Sequence, residues 1–275
     1  MSVNLRKGSV HELLNEACPY IEDRCRFLGT GCDCAKYLAY VDASDPEKVK
    51  KILADNNFDL NLPTWELLMS MQMSFAQRQH PVEGLTKADV DHWVDAYLVC
   101  IDDEVREVRE YLNIYGQGAS HDNVAELKKE VVDIIHFVMD LFIVGNCSPE
   151  QLKSAYCARY GVTVNDGDDL FNVAYNKQAA GVLDYLGASG ITKDMTVLKA
   201  TCKLLDAGAA VRQLISWKHW KRPSDTIDFD KLHDAYAGVF YEFVNLYVLT
   251  MANGELRDIY VRKNAENIFR QIYGY

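Results

Sequence analysis

The amino-acid sequence predicts an all-α protein. Apolar residues recur with helical spacing along most of the chain, and the alternating pattern of a β-strand is almost absent. Start and stop signals bound the helices: Ser148 before Pro149 is typical of a helix start, and His80 before Pro81 of a helix end. The predicted helices cover residues 64–79, 87–113, 124–145, 148–160, 171–186, 192–215, 231–251 and 254–271.

The second half of this helical region repeats the first at an offset of 103 to 105 residues. Val108 matches Val211, and Tyr156 matches Tyr260. The other matched pairs are Asp103–Asp206, Arg109–Arg212, Leu127–Leu232, Leu141–Leu246 and Leu152–Leu256. The agreement over three segments predicts a helical bundle of two degenerate tandem repeats, copy one at about 87–160 and copy two at about 192–275.

Residues 1–60 are predicted to form an N-terminal helical extension to a domain covering 61–275. Its helical patterns lie near 9–28 and 45–54, and it contains Cys18, Cys25, Cys32 and Cys34. These cysteines lack the paired C-x2-C spacing of most zinc sites, so reduced thiols are favoured over structural zinc. The role of the extension and of its cysteines stays open.

Composition narrows the class of protein. The chain has 275 residues, 49% of them hydrophobic, which allows a substantial core. Its net charge is −11, which argues against binding to nucleic acid or to a membrane surface. No long apolar run predicts a membrane span, and the first residues do not resemble a signal peptide. We therefore expect an intracellular, cytoplasmic protein.

Four acidic residues of copy one form two pairs. Glu104 and Glu107 are three positions apart, as are Glu130 and Asp133, so each pair shares one face of a helix. The 22 residues between the pairs are enough for the second helix to return antiparallel to the first. Both pairs fall within predicted apolar stripes, formed by Tyr97, Ile101, Val108 and Leu112 and by Leu127, Ile134, Phe137 and Leu141. We therefore expect four carboxylates to converge.

Converging carboxylates inside an apolar face indicate a metal site. An ionised acid is costly to bury unless a charge compensates it, and four acids would repel one another. Oxygen ligands favour Mg²⁺, with Mn²⁺ as a substitute. A solvated acidic face is the alternative. A di-iron site is disfavoured, because it needs two E-x2-H pairs and only Asp133-x2-His136 comes near that pattern.

Copy two has lost these acids. Glu104, Glu107, Glu130 and Asp133 of copy one are matched by Ala207, Ala210, Ala235 and Gly238. Copy two is rich in bases instead, from Trp217 to Arg222 and at Lys263 and Arg270. We therefore expect copy one to supply the metal ligands and copy two to supply cationic contacts to phosphate.

Two motifs resemble the dimeric all-α dUTPases of the MazG-like superfamily of nucleoside triphosphate pyrophosphohydrolases. The paired acids resemble the superfamily's E-x2-E and E-x2-D metal motif, and residues 130–137 resemble its E-L-V-D-I-x-H-F segment. Residues 260–275 resemble the C-terminal signature Y-x2-K-x3-N-x2-R-Q-x2-G-Y at every defined position. Gln72 stands where the family has a glutamine that contacts the base.

The resemblance implies a homodimer that hydrolyses dUTP, and in many members dUDP, to dUMP with Mg²⁺. The four acids would hold the metal and activate a water, with Glu107 favoured as the base. The residues implied at the phosphates are Lys263, Asn267, Arg270 and Tyr275. The apolar face at 69–73 is expected to supply part of the dimer interface.

The sequence departs from the family at two places that concern recognition of the nucleotide base. The W-K-x-W-K segment expected after the first acidic helix occurs at Trp217-Lys218 and onwards instead, and the asparagine expected after Gln72 is Ala76. We predict that Trp217 and Lys218 contact the substrate. The alternatives are hydrolysis of another nucleotide, such as dCTP, dTTP or a modified one, and a nucleotide-binding protein that has lost catalysis.

Overall fold

The computed structural model describes residues 54, 57–114, 116, 118–121, 123–189, 192–218 and 226–273, with backbone alone for 183–189, 266 and 268–273. These residues form eight α-helices and no β-strand, so the predicted all-α class is confirmed. The helices are α1 Thr64–Ala76, α2 Lys87–Glu110, α3 Val124–Val144, α4 Pro149–Tyr160, α5 Leu170–Ser189, α6 Lys193–Arg212, α7 Phe229–Thr250 and α8 Glu255–Tyr273. The cysteines of the predicted extension lie outside the described residues.

The chain divides into two compact units. One is Asn61–Tyr260, and the other is Met1–Leu60 together with Val261–Tyr275. Helices α1 to α7 belong to the first unit, and α8 begins in it at Glu255 and continues into the second.

Short-range side-chain contacts fix most helix starts. Thr86 and Asp89 form a reciprocal capping box at α2, and Ser148 and Gln151 form another at α4, where Pro149 takes the first helical position as predicted. Helix α1 begins at Thr64 as predicted, and the N–H of Thr64 donates to Asp169 Oδ2 at 2.8 Å. Helix α5 runs to Ser189, beyond the predicted end at 186.

Four long helices form a ring in which α2 contacts α3 and α6, and α7 contacts the same two helices. Tyr97 on α2 packs against Phe137 on α3, and Glu107, later on α2, lies beside Glu130, earlier on α3, so these two helices are antiparallel. His233 near the start of α7 reaches the carbonyl of Gly145 at the end of α3, which makes that pair antiparallel too. The ring therefore brings the end of α2 close to the start of α3.

An aromatic cluster joins α1 to the ring. The Trp65 ring centroid lies 5.9 Å from that of Phe142 and 5.4 Å from those of Phe171 and Phe240. Met69, one helical turn after Trp65, is also buried. The predicted use of this methionine-rich face as a dimer interface is therefore wrong for Met69 and for the fully buried Met71, which belong to the core.

Within the described part of the chain, no single helix has both the length and the apolar character needed to cross a membrane. Helices α3 and α4 reach that threshold only when taken as a pair, and they meet at a bend of 103°.

Candidate functional site

Three of the four predicted metal ligands lie together. Glu104 and Glu107 on α2 and Glu130 on α3 each offer a carboxylate oxygen, and these oxygens all lie within 4.8 Å of one another. All three side chains are half-buried. The antiparallel packing of α2 on α3 produces this group, because it sets the last turns of α2 beside the first turns of α3.

Asp133 is not part of this group. It lies one turn beyond Glu130 on α3 and is half-buried. The predicted position of the acids inside the apolar stripes is also wrong, because Val105 and Val131, each next to an acid in sequence, take the fully buried positions. A helix turns by about 100° per residue, so the acids lie at the edge of the stripe, where water can reach them.

The acidic group creates a negative field. The pKa of the Tyr111 hydroxyl is raised by loss of solvent and then by Glu130, Glu126 and Glu107. The pKa of the Cys100 thiol is raised by burial and then by Asp103 and Glu104. Cys100 itself is half-buried. In both groups the smaller, coulombic part of the shift comes from these carboxylates, and it is this part that marks a negative field.

The donor set suits a hard divalent cation. Carboxylate oxygens from the two helices can supply some of the ligands of Mg²⁺, and the half-exposed position leaves room for water to supply the others. Mg²⁺ keeps several water molecules in most protein sites, so three carboxylates are sufficient. Asp133, one turn away on the same helix, is the nearest predicted residue that could complete the set.

Gln72 is fully buried, and both ends of its amide are hydrogen-bonded. Its Nε2 donates to Asp140 Oδ1 at 2.9 Å, and its Oε1 accepts from Tyr260 Oη at 2.7 Å and from His136 Nδ1 at 2.8 Å. His136 stacks on Tyr260 with ring centroids 4.2 Å apart. In this arrangement Gln72 joins α1 to α3 and α8, and contact with a nucleotide base would require it to exchange a partner.

Asp140 was not among the sequence-predicted site residues. It is an acid inside the most apolar helix of the ring, and its burial raises its pKa to about 8, despite the opposing effect of the hydrogen bond from Gln72. The carboxyl group is therefore largely protonated at neutral pH. The available sequence signal was an aspartate between Met139 and Leu141, within an otherwise apolar run.

The remaining predicted substrate contacts lie on other elements. Trp217 and Lys218 follow α6, and the Lys218 ammonium lies 4.9 Å from the centre of the Trp217 ring. Lys263, Asn267 and Arg270 lie on α8 within the second unit. Tyr275 lies outside the described residues.

The matched positions of copy two also lie together. Ala207, Ala210, Ala235 and Gly238 line one cavity of about 520 Å³ on α6 and α7. Arg159 and Asp234 lie at the same cavity and form an ion pair. The residues at the positions of the four acids therefore line one space, and the charged residues Arg159, Asp230, Lys231 and Asp234 lie around it.

A second buried glutamine was missed by sequence reasoning. Gln178 on α5 is 5% exposed, and its Nε2 lies 3.4 Å from the hydroxyl of Tyr156 on α4. Gln72 also contacts a tyrosine, Tyr260 on α8, although there the hydroxyl donates to Gln72 Oε1. Gln178 follows Gln72 by 106 residues, close to the predicted offset, and this spacing was the signal that could have found it.

Comparison with known proteins adds no relative. No protein-family model matches the chain, and no curated protein or solved structure matches it either. The functional proposal therefore depends on the geometry of the acidic group and on the sequence motifs.

Proposed function

We propose that this protein is a Mg²⁺-dependent nucleotide pyrophosphohydrolase that converts dUTP to dUMP and pyrophosphate and also accepts dUDP. The observation that carries the proposal is the meeting of Glu104, Glu107 and Glu130 from two antiparallel helices. A solvated acidic face would not require three half-buried carboxylates to share one small volume. The resemblance of residues 130–137 and 260–275 to dimeric dUTPases adds the substrate.

The acidic group has two tasks in this reaction. Glu104, Glu107 and Glu130 hold the cation, with Asp133 as a further ligand from the same face of α3. When bound, Mg²⁺ neutralises phosphate charge and lowers the pKa of a coordinated water. Glu107 accepts the proton of the attacking water.

The phosphates need positive partners as the leaving group departs. The sequence motif assigns this task to Lys263, Asn267, Arg270 and Tyr275. Trp217 and Lys218 are proposed as additional substrate contacts. The active form is proposed to be a homodimer on the strength of the resemblance alone.

The chain is also proposed to be a tandem duplication, and the unit is larger than the sequence matches indicated. Two observations support this: the matched positions of the four acids surround one cavity, and Gln72 and Gln178 each contact a tyrosine of the opposite half. The proposed unit is α1 to α4, repeated as α5 to α8.

Specificity for the nucleotide base is tested with several nucleotides, because both ends of the Gln72 amide are hydrogen-bonded within the protein. A glutamine in this state does not by itself select uracil. The substrate panel therefore includes dCTP, dTTP, dATP and dGTP beside dUTP and dUDP.

The decisive experiment measures release of pyrophosphate or phosphate across that panel with Mg²⁺. The parent protein is compared with Glu104→Gln and with Asp103→Asn, which removes an exposed carboxylate from the same turn of α2. We expect Glu104→Gln to lower kcat by roughly 100- to 1,000-fold and Asp103→Asn to leave it near the parent value. Equal activity of all three proteins, or no hydrolysis of any nucleotide by the parent, would contradict the proposal.

A further inference from the structure

A second cavity lies among α5, α6 and α7, and it shares no residue with the acidic group. Its volume is about 340 Å³, within the range of roughly 300–1,000 Å³ that is usual for small-molecule sites. Gln178, Thr196, Ala200 and Leu249 are its buried lining residues. The cavity therefore has a mixed apolar and polar floor of a size that suits a small ligand.

The amide of Gln178 is incompletely satisfied. Its Oε1 is buried and has no hydrogen-bond partner among the described residues, although the side chain is 5% exposed. Gln72, its match in copy one, receives two hydrogen bonds at Oε1. A buried acceptor without a partner is rare in native proteins and calls for a donor that the protein does not itself supply.

The contrast with copy one explains why this space is open. At the matched positions, the large Tyr97 of copy one becomes Ala200, and Asp140 becomes Asn245. Tyr97 is buried and fills the core beside α3, whereas Ala200 removes that volume and lines the cavity. The exchange of a large side chain for a small one leaves room beside the unsatisfied amide.

The rim of the cavity is positive on a strongly acidic protein. Lys177, Lys199 and Lys203 line it and are exposed, and Glu242 is the one acid among the described lining residues. The whole chain carries a net charge of −11, so a local excess of lysines contrasts with the rest of the molecule. Lysines grouped at a cleft attract anions, and phosphate above all.

We propose that this cavity binds a small phosphorylated ligand of about mononucleotide size. The lysine rim holds the phosphate, and an N–H group of the ligand donates to Gln178 Oε1. Tyr241, a half-buried aromatic residue in the wall, offers contact area to a planar ring. The site is separate from the acidic group and does not depend on the proposed hydrolysis.

The test is calorimetric titration of the full chain with three compounds: dUMP, pyrophosphate and deoxyuridine. It is carried out in chelator and in a Glu104→Gln/Glu107→Gln background, so that binding at the acidic group does not contribute. We expect saturable binding of dUMP, weaker binding of pyrophosphate and the weakest binding of deoxyuridine. Absence of saturable dUMP binding at millimolar concentration would overturn the proposal.

Two lysine variants of equal charge locate the site. Lys199→Gln/Lys203→Gln removes two rim charges, and Lys153→Gln/Lys231→Gln removes two charges elsewhere. We expect the rim variant to weaken dUMP binding at least about tenfold and the control to change it less than about twofold. Equal weakening in both variants would show attraction by overall charge and would reject the site.

The variant Gln178→Leu tests whether the amide at the floor of the cavity contacts the ligand. Leucine has a similar volume and removes both the unsatisfied acceptor and the long contact from Nε2 to the Tyr156 hydroxyl, so a melting curve first establishes that the variant is folded. We expect it to lose most of the preference for dUMP over pyrophosphate while it keeps pyrophosphate binding. A dUMP affinity equal to that of the parent would show that the amide does not contact the ligand.

Discussion

The two halves of the molecule carry different side chains at matched positions. Acids occupy these positions in copy one, and alanine or glycine occupies them in copy two. In copy one, Glu104, Glu107 and Glu130 bring carboxylate oxygens within 4.8 Å of one another. In copy two, Ala207, Ala210 and Ala235 lie around a cavity of about 520 Å³. The helices bring these positions together in both halves, so the fold supplies the geometry and the side chains decide whether a cation can bind.

The buried glutamines show the same contrast. Gln72 is surrounded by groups that satisfy its amide, and Gln178 lies at the floor of a cavity with an acceptor that the described residues leave unsatisfied. The first half therefore has half-buried carboxylates at one position and a hydrogen-bonded amide at the other, whereas the second half has a cavity at each. Under the proposed duplication, one copy carries the acidic group and the other carries the proposed ligand cavity.

The largest expected effect follows from removal of the acids. The double variant Glu104→Gln/Glu107→Gln replaces two of the acids by uncharged side chains, as at the matched Ala207 and Ala210, so Mg²⁺ should lose its site. We expect Mg²⁺ to raise the melting temperature of the parent and to leave that of the variant unchanged, because only a ligand of the folded state stabilises it. Differential scanning calorimetry with and without Mg²⁺ measures this.

Without Mg²⁺, the double variant should be at least as stable as the parent, because repulsion between half-buried carboxylates is removed. Asp103→Asn is the control and should keep the Mg²⁺ response. A Mg²⁺ response that persists in the double variant would place the cation elsewhere.

The next effect concerns Asp140, which copy two replaces by Asn245. Burial raises the pKa of Asp140 to about 8, and an aspartate in the unfolded chain titrates near 3.8. Between these values the folded protein holds a proton that the unfolded chain has released. The free energy of unfolding should therefore fall as pH rises through this window, by roughly 1.4 kcal/mol per pH unit from this group.

The variant Asp140→Asn should lack this contribution, and it keeps an oxygen that can accept from Gln72. Urea denaturation from pH 5 to pH 8 measures the slope, with Asp103→Asn as a control that removes an exposed carboxylate. A slope in Asp140→Asn equal to that of the parent would show that Asp140 is ionised in the folded protein.

The sequence predicted the class of fold and most helices, because helix starts depend on local chemistry. The capping residues Ser148 and Pro149 act within one turn, so their effect can be inferred from neighbours in sequence. The start of α1 at Thr64 was also predicted, but the long-range contact made there was not. Asp169, which accepts a hydrogen bond from the backbone of Thr64, is 105 residues away.

The candidate site was predicted in part for a similar reason. Spacing placed Glu104 and Glu107 on one face of a helix, and the offset of the repeat related them to Ala207 and Ala210. Spacing could not place the acids at the edge of the stripe rather than inside it, because that depends on how α2 rotates against α3. The cavity at Gln178 depends on which volumes are missing from a packed core, and no local pattern records that.

A smaller effect on the free energy of unfolding is expected where the matched helices α3 and α7 end. Helix α3 is capped by Gly145, and α7 by Met251. A Cβ atom at Gly145 would overlap the hydroxyl and ring of Tyr236, which is fully buried. We expect Gly145→Ala to lower the free energy of unfolding by about 1–3 kcal/mol because the packed ring must shift.

Urea denaturation of Gly145→Ala, Tyr236→Phe and the double variant measures this contact. The Tyr236 hydroxyl is buried with no hydrogen-bond partner among the described residues, so Tyr236→Phe alone should be close to neutral. The double variant should recover part of the loss, since the hydroxyl is one of the overlapping atoms. A fully additive double variant would mean that the close approach does not limit the site.

The smallest effect lies at Gly238, which copy two has in place of Asp133. Gly238 is inside α7, and a Cβ atom there would meet the Arg159 guanidinium at 3.6 Å, an ordinary contact distance. We expect Gly238→Ala to raise the free energy of unfolding by about 0.5–1 kcal/mol, because alanine loses less backbone freedom than glycine in a helix.

The Gly238→Ala variant should hydrolyse nucleotide at the parent rate, whereas Asp133→Ala in copy one should be strongly impaired. Chemical denaturation and initial rates on the same protein samples test both halves of this statement. If Gly238→Ala reduced hydrolysis as much as Asp133→Ala does, the cavity of copy two would belong to the catalytic apparatus and the division between the two copies would fail.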